Sequence, residues 1–561
     1  MCGIFFSLAR AFELCPDDLV KRELVARGPD SYKQLHTTVP ATSRDIVLTF
    51  VSSVLALRGD YVQEQPLHEP SSGSVLCWNG EAWKVDGAAV QGNDSAHIFD
   101  LLVRASHSGG PNHQQRIVQV LSAIAGPFAF VFYDAPNSTV YYGRDQLGRR
   151  SLLITRGTDD SLTLCSAFTN PLEVQDAEVS TSAVHCLSLD NGQIEFGELP
   201  WLDKLPIINK AQPSCHIEPT PSADSVSNFL KHLKSALTTR VVNIPSHSRS
   251  QMESGSAKVA VLFSGGLDCT LLARLMHEVL SKEEAVDLLN VAFENPRSIA
   301  AMANATESVY EQCPDRITGR SSFAELRQVC PDRQWRFVAI NVPYTESQAH
   351  KATIQRLMHP HNTEMDLSIA MALYFAARGT GSLSEAPQLP ATKTEHVTSR
   401  ARVLLSGLGA DELYGGYSRH AAAFARGGFT DLAGELGLDF DRIGTRNLGR
   451  DDRVMSHWGK EVRYPYLDED LVKFSLALPV WEKCGYRVEK RVPKHNEQVG
   501  RANKPEDLEP AKMLLRMAAW ELGMRTAASE RKRAIQFGAK TAKMDIGKGR
   551  RKGTDVLVAA S

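Results

Sequence analysis

A cysteine follows the initiator methionine in MCGIFFSL, and so small a side chain lets methionine aminopeptidase expose Cys2 as the N-terminus. One residue then carries a thiol nucleophile and an α-amine that titrates near about pH 8 and can take the thiol proton. A nucleophile that attacks an acyl carbon needs donors for the oxyanion. CWNGEAW offers two: the side-chain amide of Asn79, and a backbone N–H at Gly80, where no Cβ blocks a close approach. Read alone, Asn-Gly is equally a hairpin turn. A second chemistry-bearing run is SGGLDCT, Ser264 to Thr270. It stands where backbone N–H groups and a helix N-terminus cradle phosphate, and it lacks the lysine of the usual nucleoside-triphosphate loop. Farther on, SGLGADELYGGYSRH carries Asp411 and Glu412, oxygen ligands suited to magnesium beside a phosphate.

Two kinds of architecture must position these groups. As far as about Pro200 the chain is a series of short β-rich runs, among them DIVLTFVSSVLAL, GPFAFVFYD and STVYYGRD, broken by Gly, Asn, Asp and Pro. That pattern predicts a sheet-rich α+β domain. NDSAHIFDLLVRAS adds a capped helix that begins near Asp94. From Lys258 the regime changes: KVAVLF, VDLLNVAF, WRFVAINV and ARVLLS are buried-type strands separated by helical segments. Alternation of that kind predicts a parallel sheet covered on both faces, with ligands at the carboxyl ends of its strands. The last third is mainly helical, as in DLVKFSLAL and AKMLLRMAAWEL. The expected boundaries are 2–205 for the front domain, 206–257 for an amphipathic helix and polar linker, 258–544 for the back domain, and 545–561 for a disordered basic tail. GTGSLSEAPQLPATKTEHVTSR reads as a surface insertion.

Length and composition bound the function. The 561 residues exceed one core and carry a net charge of −2, which gives no reason to invoke nucleic acid or an anionic membrane. The opening run lacks a signal peptide's plan, and no stretch approaches a bilayer span. A cytoplasmic enzyme is the expectation. Ten cysteines without CxxC pairs suggest reduced thiols, and all but Cys2 and Cys269 read as core filler. Asp451-Asp452 reads as solvated charge, and Arg144-Asp145 as a structural ion pair.

Taken together, Cys2-Gly3-Ile4, ARGPD (Ala26 to Asp30), QPL (Gln65 to Leu67), NGE (Asn79 to Glu81), Asp94 and GRDQLGRRSLL (Gly143 to Leu153) resemble the class II glutamine amidotransferase domain. The resemblance implies an N-terminal-nucleophile fold of stacked sheets, αββα, in which Cys2 hydrolyses glutamine through a thioester. Asn79 and Gly80 would form the oxyanion hole, and Glu81 and Asp94 would hold the α-amino end. SGGLD resembles the pyrophosphate loop of ATP pyrophosphatases. Joined with SGLGADELYGG and DDRVMSHWGKEVRYPYLDEDL (Asp451 to Leu471), it is similar to the synthetase domain of the asparagine synthetase family. The implied reaction activates a carboxylate, nominally aspartate, with ATP and Mg2+. Ammonia from the front site then forms the amide. Ser264, Gly265, Gly266, Ser406 and Gly407 would bind ATP with Asp268, Asp268 and Asp411 would hold the metal, and Glu461 would orient substrate or a neighbouring base. A homodimer is compatible with the resemblance.

Four positions depart from the pattern. Val54 falls where an arginine binds the glutamine carboxylate, and Arg58, four residues on and hence on the same strand face, is the expected substitute. Cys269 replaces Ser or Thr. Leu408 stands where an acidic or tyrosine side chain assists the chemistry, and Ala534 where a lysine steadies charge, with Lys532, Arg533 and Lys540 as candidates to compensate. A degenerate relative that binds its ligands without synthesis is therefore the alternative reading.

Overall fold

The computed structural model describes residues 2–41, 44–107, 112–157, 161–168, 177–213, 220–245, 256–297, 308–384, 395–487, 502–544 and 552–557. The chain forms two compact units. The front unit comprises residues up to Leu205 together with Ala352–Asn362 and Ile443–Glu461, and the remainder builds the back unit. The sequence boundaries are thus corrected in one respect: two segments expected in the back domain pack into the front one.

The front unit contains two six-stranded sheets. The first runs, edge to edge, Ala177–Glu178, Leu153–Arg156, Leu162–Cys165, Gly3–Arg10, Ile46–Val54 and Ser31–Val39; the second runs Glu195–Pro200, Ala183–Ser188, Thr139–Arg144, Phe128–Asp134, Val75–Gly80 and Leu67–His68. Pairing is antiparallel throughout both. Alternate residues supply one core between them, with Ile4, Phe6 and Phe50 from the first sheet meeting Cys77, Val131 and Leu187 from the second. The outer face of the second sheet buries Phe130 and Phe132 against Ile98, Leu102, Ile117 and Leu121 of the helices Asp94–His107 and His113–Ser122. Sheets stacked face to face under helices are the N-terminal-nucleophile arrangement that was expected.

The back unit is built on a seven-stranded sheet, in the order His396–Thr398, Thr380–Ser384, Trp335–Val342, Val286–Phe293, Val259–Leu262, Val403–Leu405 and Glu461–Arg463. Its middle strands are parallel. Val286–Phe293 is buried at every position, as a strand covered on both faces must be. The ends of the expected surface insertion pair antiparallel with each other at the sheet edge, and its centre, 385–394, lies outside the described residues. The amphipathic helix expected in the linker is Ala223–Val241, capped by Ser222, and it belongs to the back unit. The polar linker behind it lies largely outside the described residues. Residues 552–557 of the tail, expected to be disordered, are hydrogen-bonded to the start of another helix: Glu364 N donates to Asp555 O and Met365 N to Gly553 O. Among the described residues, no helix is long and apolar enough to cross a membrane.

Candidate functional site

Cys2 precedes the strand Gly3–Arg10 and lines a cavity of about 30 Å³ with Arg58, Gly80, Glu81, Asp94 and Glu461. Three interactions fix its backbone. Gly3 N donates to Ser53 Oγ at 3.0 Å, Ser53 Oγ donates to Leu24 O at 2.5 Å, and Arg27 Nε reaches Cys2 O at 3.4 Å. Burial pushes the Cys2 thiol up, and the positive chain terminus and the Leu55 N–H oppose it. The net direction is upward, so the resting group is a thiol that needs a base.

Asn79 and Gly80 end the strand Val75–Gly80 rather than forming a turn. Its register puts Gly80 opposite Phe128 so closely that a Cβ there would lie 2.5 Å from Pro127 O. The Asn79 side chain is fully buried, and neither of its amide atoms has a hydrogen-bond partner among the described residues. Leaving a polar group so costs about 1–3 kcal/mol; Gly80 lines the Cys2 cavity, whereas Asn79 does not.

Asp94 opens the helix Asp94–His107, which Asn93 caps through Ala96 N at 3.1 Å. Its carboxylate accepts from Ala82 N at 2.8 Å and Trp78 Nε1 at 3.3 Å. Burial raises its pKa against the pull of Arg58. Arg58 does line the cavity, but the argument that placed it there fails: the strand Ile46–Val54 stops at Val54, so the two residues share no strand face. The Arg58 guanidinium is held by Ala82 O at 2.8 Å and Val90 O at 2.6 Å, with Glu81 3.7 Å away.

Three acidic side chains lie elsewhere than expected. Glu461, assigned by resemblance to the synthetase chemistry, lines the Cys2 cavity, and its charge bears on the thiol. Arg150 holds it at 3.3 Å. Asp452 is not solvated but fully buried, 2.8 Å from Arg27 and 3.7 Å from Arg150; Asp451 is buried against Arg450. Nor do Arg144 and Asp145 pair with each other: Arg144 meets Glu178 and Asp145 meets Arg149, each at 3.0 Å.

In the back unit, Ser264–Gly266 joins the strand Val259–Leu262 to the helix Leu267–Val279. Gly265 has φ +79°, and a Cβ there would meet Gly319 N at 2.4 Å, so only glycine fits. Val259–Leu262 lies between Val286–Phe293 and Val403–Leu405, so chain order reverses direction beside it. This switch point brings Asp268 and Asp411 together. A cavity of about 180 Å³ there is lined by Ser264, Gly266, Asp268, Ser406, Gly407 and Lys532 among others. Gly265 and Asp411 do not line it. Gly407 serves by its smallness, because a Cβ would lie 2.9 Å from Asp268 Cβ. Cys269 is buried, and its thiol donates to Gly266 O at 3.3 Å, so it keeps the local bond a hydroxyl would make.

Sequence reasoning missed Lys512. Its ammonium sits 2.6 Å from both Asp268 and Asp411, while Lys532 also pairs with Asp411. Burial would push the Asp411 carboxyl up, but the two ammonium groups outweigh it and hold the group well below the usual carboxylate range. Arg533, Arg516 and Arg531 line an adjoining cavity of about 80 Å³ with both lysines. Of the candidates to compensate for Ala534, Lys532 and Arg533 line these cavities, whereas Ala534 and Lys540 do not. Asp315, also missed, lines both cavities; burial raises its pKa to about 7 against Arg533 and Lys532. The one signal available was charge inside AKMLLRMAAWEL, which read only as an amphipathic helix.

Comparison with known proteins matches residues 55–171 to the glutamine amidotransferase domain family and residues 427–496 to the asparagine synthase family. Asparagine synthetase domain-containing protein 1 of Bos taurus is 31% identical over 97% of this chain and 96% of its own. The chain belongs to the asparagine synthetase family. A Saccharomyces cerevisiae asparagine synthetase domain-containing protein is 32% identical over 95% of this chain and 90% of its own. The glutamine-hydrolyzing asparagine synthetase of Gallus gallus is 25% identical over 88% of this chain and 79% of its own. The asparagine synthase match implies the ATP-pyrophosphatase fold for the back unit.

Proposed function

We propose that this member of the asparagine synthetase family is a glutamine-dependent amide ligase. Cys2 Sγ attacks the side-chain carbonyl carbon of glutamine, the α-amine takes the thiol proton and passes it to the leaving nitrogen, and ammonia departs from a thioester that water hydrolyses to glutamate. Asn79 Nδ2 and the Gly80 N–H face the oxyanion, a contribution of about 10²-fold to 10³-fold per donor. Glu81 and Asp94 hold the α-ammonium, and Arg58 the α-carboxylate. In the back unit a carboxylate oxygen of the acceptor, nominally aspartate, attacks the α-phosphorus of ATP. Pyrophosphate leaves, ammonia attacks the acyl carbon, and AMP departs with asparagine formed.

The observation that carries the ligase reading is the pair Asp268 and Asp411 bridged by Lys512 at the switch point. Opposed charges concentrated in a phosphate-sized cavity suit a polyphosphate, whose oxygens would draw Lys512 and Lys532 off the carboxylates. The donor set fits magnesium, since Asp268 Oδ1 is buried with no hydrogen-bond partner among the described residues. Asp268 and Asp411 would hold the ion, which when bound offsets phosphate charge.

One observation favours a second reading. Leu408 cannot exchange a proton, and losing such a group costs about 10²-fold to 10⁴-fold. A protein that binds glutamine and nucleotide without making an amide would have this residue. The deciding experiment supplies ATP, Mg2+ and aspartate with either glutamine or ammonia, for the parent and Cys2→Ala. Pyrophosphate and asparagine are expected from the parent, with Cys2→Ala losing only the glutamine-driven reaction. ATP binding without pyrophosphate release under either nitrogen donor would support the second reading, and release with an acid other than aspartate would reassign the acceptor.

A further inference from the structure

Among the described residues, one grouping of three His, Cys, Asp or Glu side chains brings potential ligand atoms within 4.8 Å of one another: Glu13, Cys15 and His36. None of them lines the Cys2 cavity. Cys15 is exposed rather than core filler, which corrects the sequence expectation and leaves a thiol in solvent with no packing role.

The grouping is built from two directions. Ser7 Oγ donates to Leu14 O at 2.5 Å, pinning the peptide flanked by Glu13 and Cys15. His36 lies in the edge strand Ser31–Val39, directly opposite Thr49. Its Nδ1 is 3.1 Å from the buried Thr49 Oγ1, and the Gln34 amide nitrogen is 3.4 Å from its Nε2. In the tautomer with the proton on Nδ1, that nitrogen donates to Thr49 Oγ1 and Nε2 keeps a lone pair. Nε2, the nitrogen left with a lone pair, lies 3.7 Å from Glu13 Oε2. An outer hydroxyl that fixes the tautomer and ring orientation of a ligating histidine is the usual companion of a metal site.

We propose that Glu13, Cys15 and His36 form a surface site for a zinc-class divalent cation. Thiolate, imidazole and carboxylate together suit a borderline cation and disfavour magnesium or calcium, which prefer oxygen alone. Three protein ligands leave a fourth tetrahedral position for water. The Cys15 thiol gives up its proton to solvent as the metal–sulfur bond forms, so binding releases a proton and weakens as pH falls. The Gln34 amide gives way to the cation at Nε2. The bound ion ties the segment around Leu14 to the sheet edge and raises the stability of the front unit through mass action.

The test is a cobalt(II) titration of the full chain followed by absorption. It is run in the Cys2→Ala background, because an N-terminal thiol and amine on one residue chelate the same metals. One equivalent is expected to give a near-ultraviolet thiolate-to-cobalt band that zinc displaces. Cys15→Ser should abolish the band. His36→Ala and Thr49→Val should weaken binding by about 10-fold or more, Thr49→Val with unchanged stoichiometry. Glu13→Gln, at an exposed position, tests a ligand without disturbing packing, and circular dichroism checks that each variant is folded. Absence of the band, or a band that survives Cys15→Ser or is indifferent to His36→Ala, would overturn the proposal.

Discussion

The cysteine cavity of the front unit and the carboxylate-lined cavity of the back unit treat charge in opposite ways. Around Cys2, burial dominates: it pushes the thiol up, raises Asp94 against Arg58, and leaves the nearby Asn79 amide without a hydrogen-bond partner among the described residues. Around Asp411, neighbouring charge dominates: two ammonium groups hold the carboxyl down although burial opposes them. The first arrangement suits a small zwitterion whose reacting amide is neutral and whose oxyanion appears only in the transition state. The second suits a substrate that arrives with several negative charges. One pocket is governed by desolvation, and the other holds opposite charges in balance.

Four changes would break or sharpen this contrast. The largest effect is expected at Asp452, whose removal by Asp452→Ala takes from Arg27 the carboxylate 2.8 Å away and leaves Arg150 with Glu461 alone. Breaking a buried pair costs about 3–5 kcal/mol, read from urea denaturation of the front unit's transition. Because Arg27 also reaches Cys2 O, glutamine hydrolysis should fall even in the fraction that stays folded; an unchanged kcat would show that the Arg27 contact does not position the nucleophile. Asn79→Ala should lower kcat for glutamine hydrolysis about 10²-fold to 10³-fold with little change in KM. A rise in KM at constant kcat would instead make Asn79 a binding residue.

Lys512→Met should cut pyrophosphate release about 10²-fold while glutamine hydrolysis is kept. It should also move the Asp411 carboxyl back toward the ordinary range, detectable as an acid limb shifted upward in the pH profile of ATP binding. Counted per pH unit, the smallest effect concerns Lys483, a back-unit lysine with no carboxylate partner among the described residues. It is fully buried, and its ammonium nitrogen has no hydrogen-bond partner among the described residues. Burial lowers its pKa to about 7. The folded protein then keeps Lys483 neutral in a range where the unfolded chain binds a proton. Stability is therefore greatest above the unfolded value near 10.5 and is lost as pH falls toward 7, by about 1.4 kcal/mol per pH unit within that window. Lys483→Met should remove this slope, so that the variant gains on the parent between pH 10 and 7 and the gap stays constant below. A gap independent of pH would mean that Lys483 remains charged in the fold.

The contrast between the sites also explains which parts of them were legible. The phosphate loop could be read because its demands are local: a buried strand, a glycine forced to φ +79°, and a helix start lie within a few residues. Asn79-Gly80 could be read as donors but not as strand, since the same dipeptide serves a hairpin and only pairing with Ala129 and Phe128 decides between them. Arg58 reached the cavity by a different route from the one that strand periodicity suggests. Lys512 gave only its charge as a signal, and a lysine before an amphipathic helix is ordinarily solvated. Here the backbone of Lys512 takes the left-handed conformation and turns into the site.

Taken by itself, the sequence determined the two strand regimes, the glycine positions and the chemical types available: a terminal thiol, an amide donor, and paired carboxylates after buried strands. These follow from periodicity and local sterics, which act over a few residues. Tertiary structure alone decided that Glu461 and Asp452 serve the front unit, that Asp268 and Asp411 meet across a switch point with Lys512 on both, and that Glu13, Cys15 and His36 converge. Such pairings set the electrostatics of each site. Coulomb interactions and desolvation depend on distance through space and on what surrounds a charge, and neither is written in the order of residues along a chain.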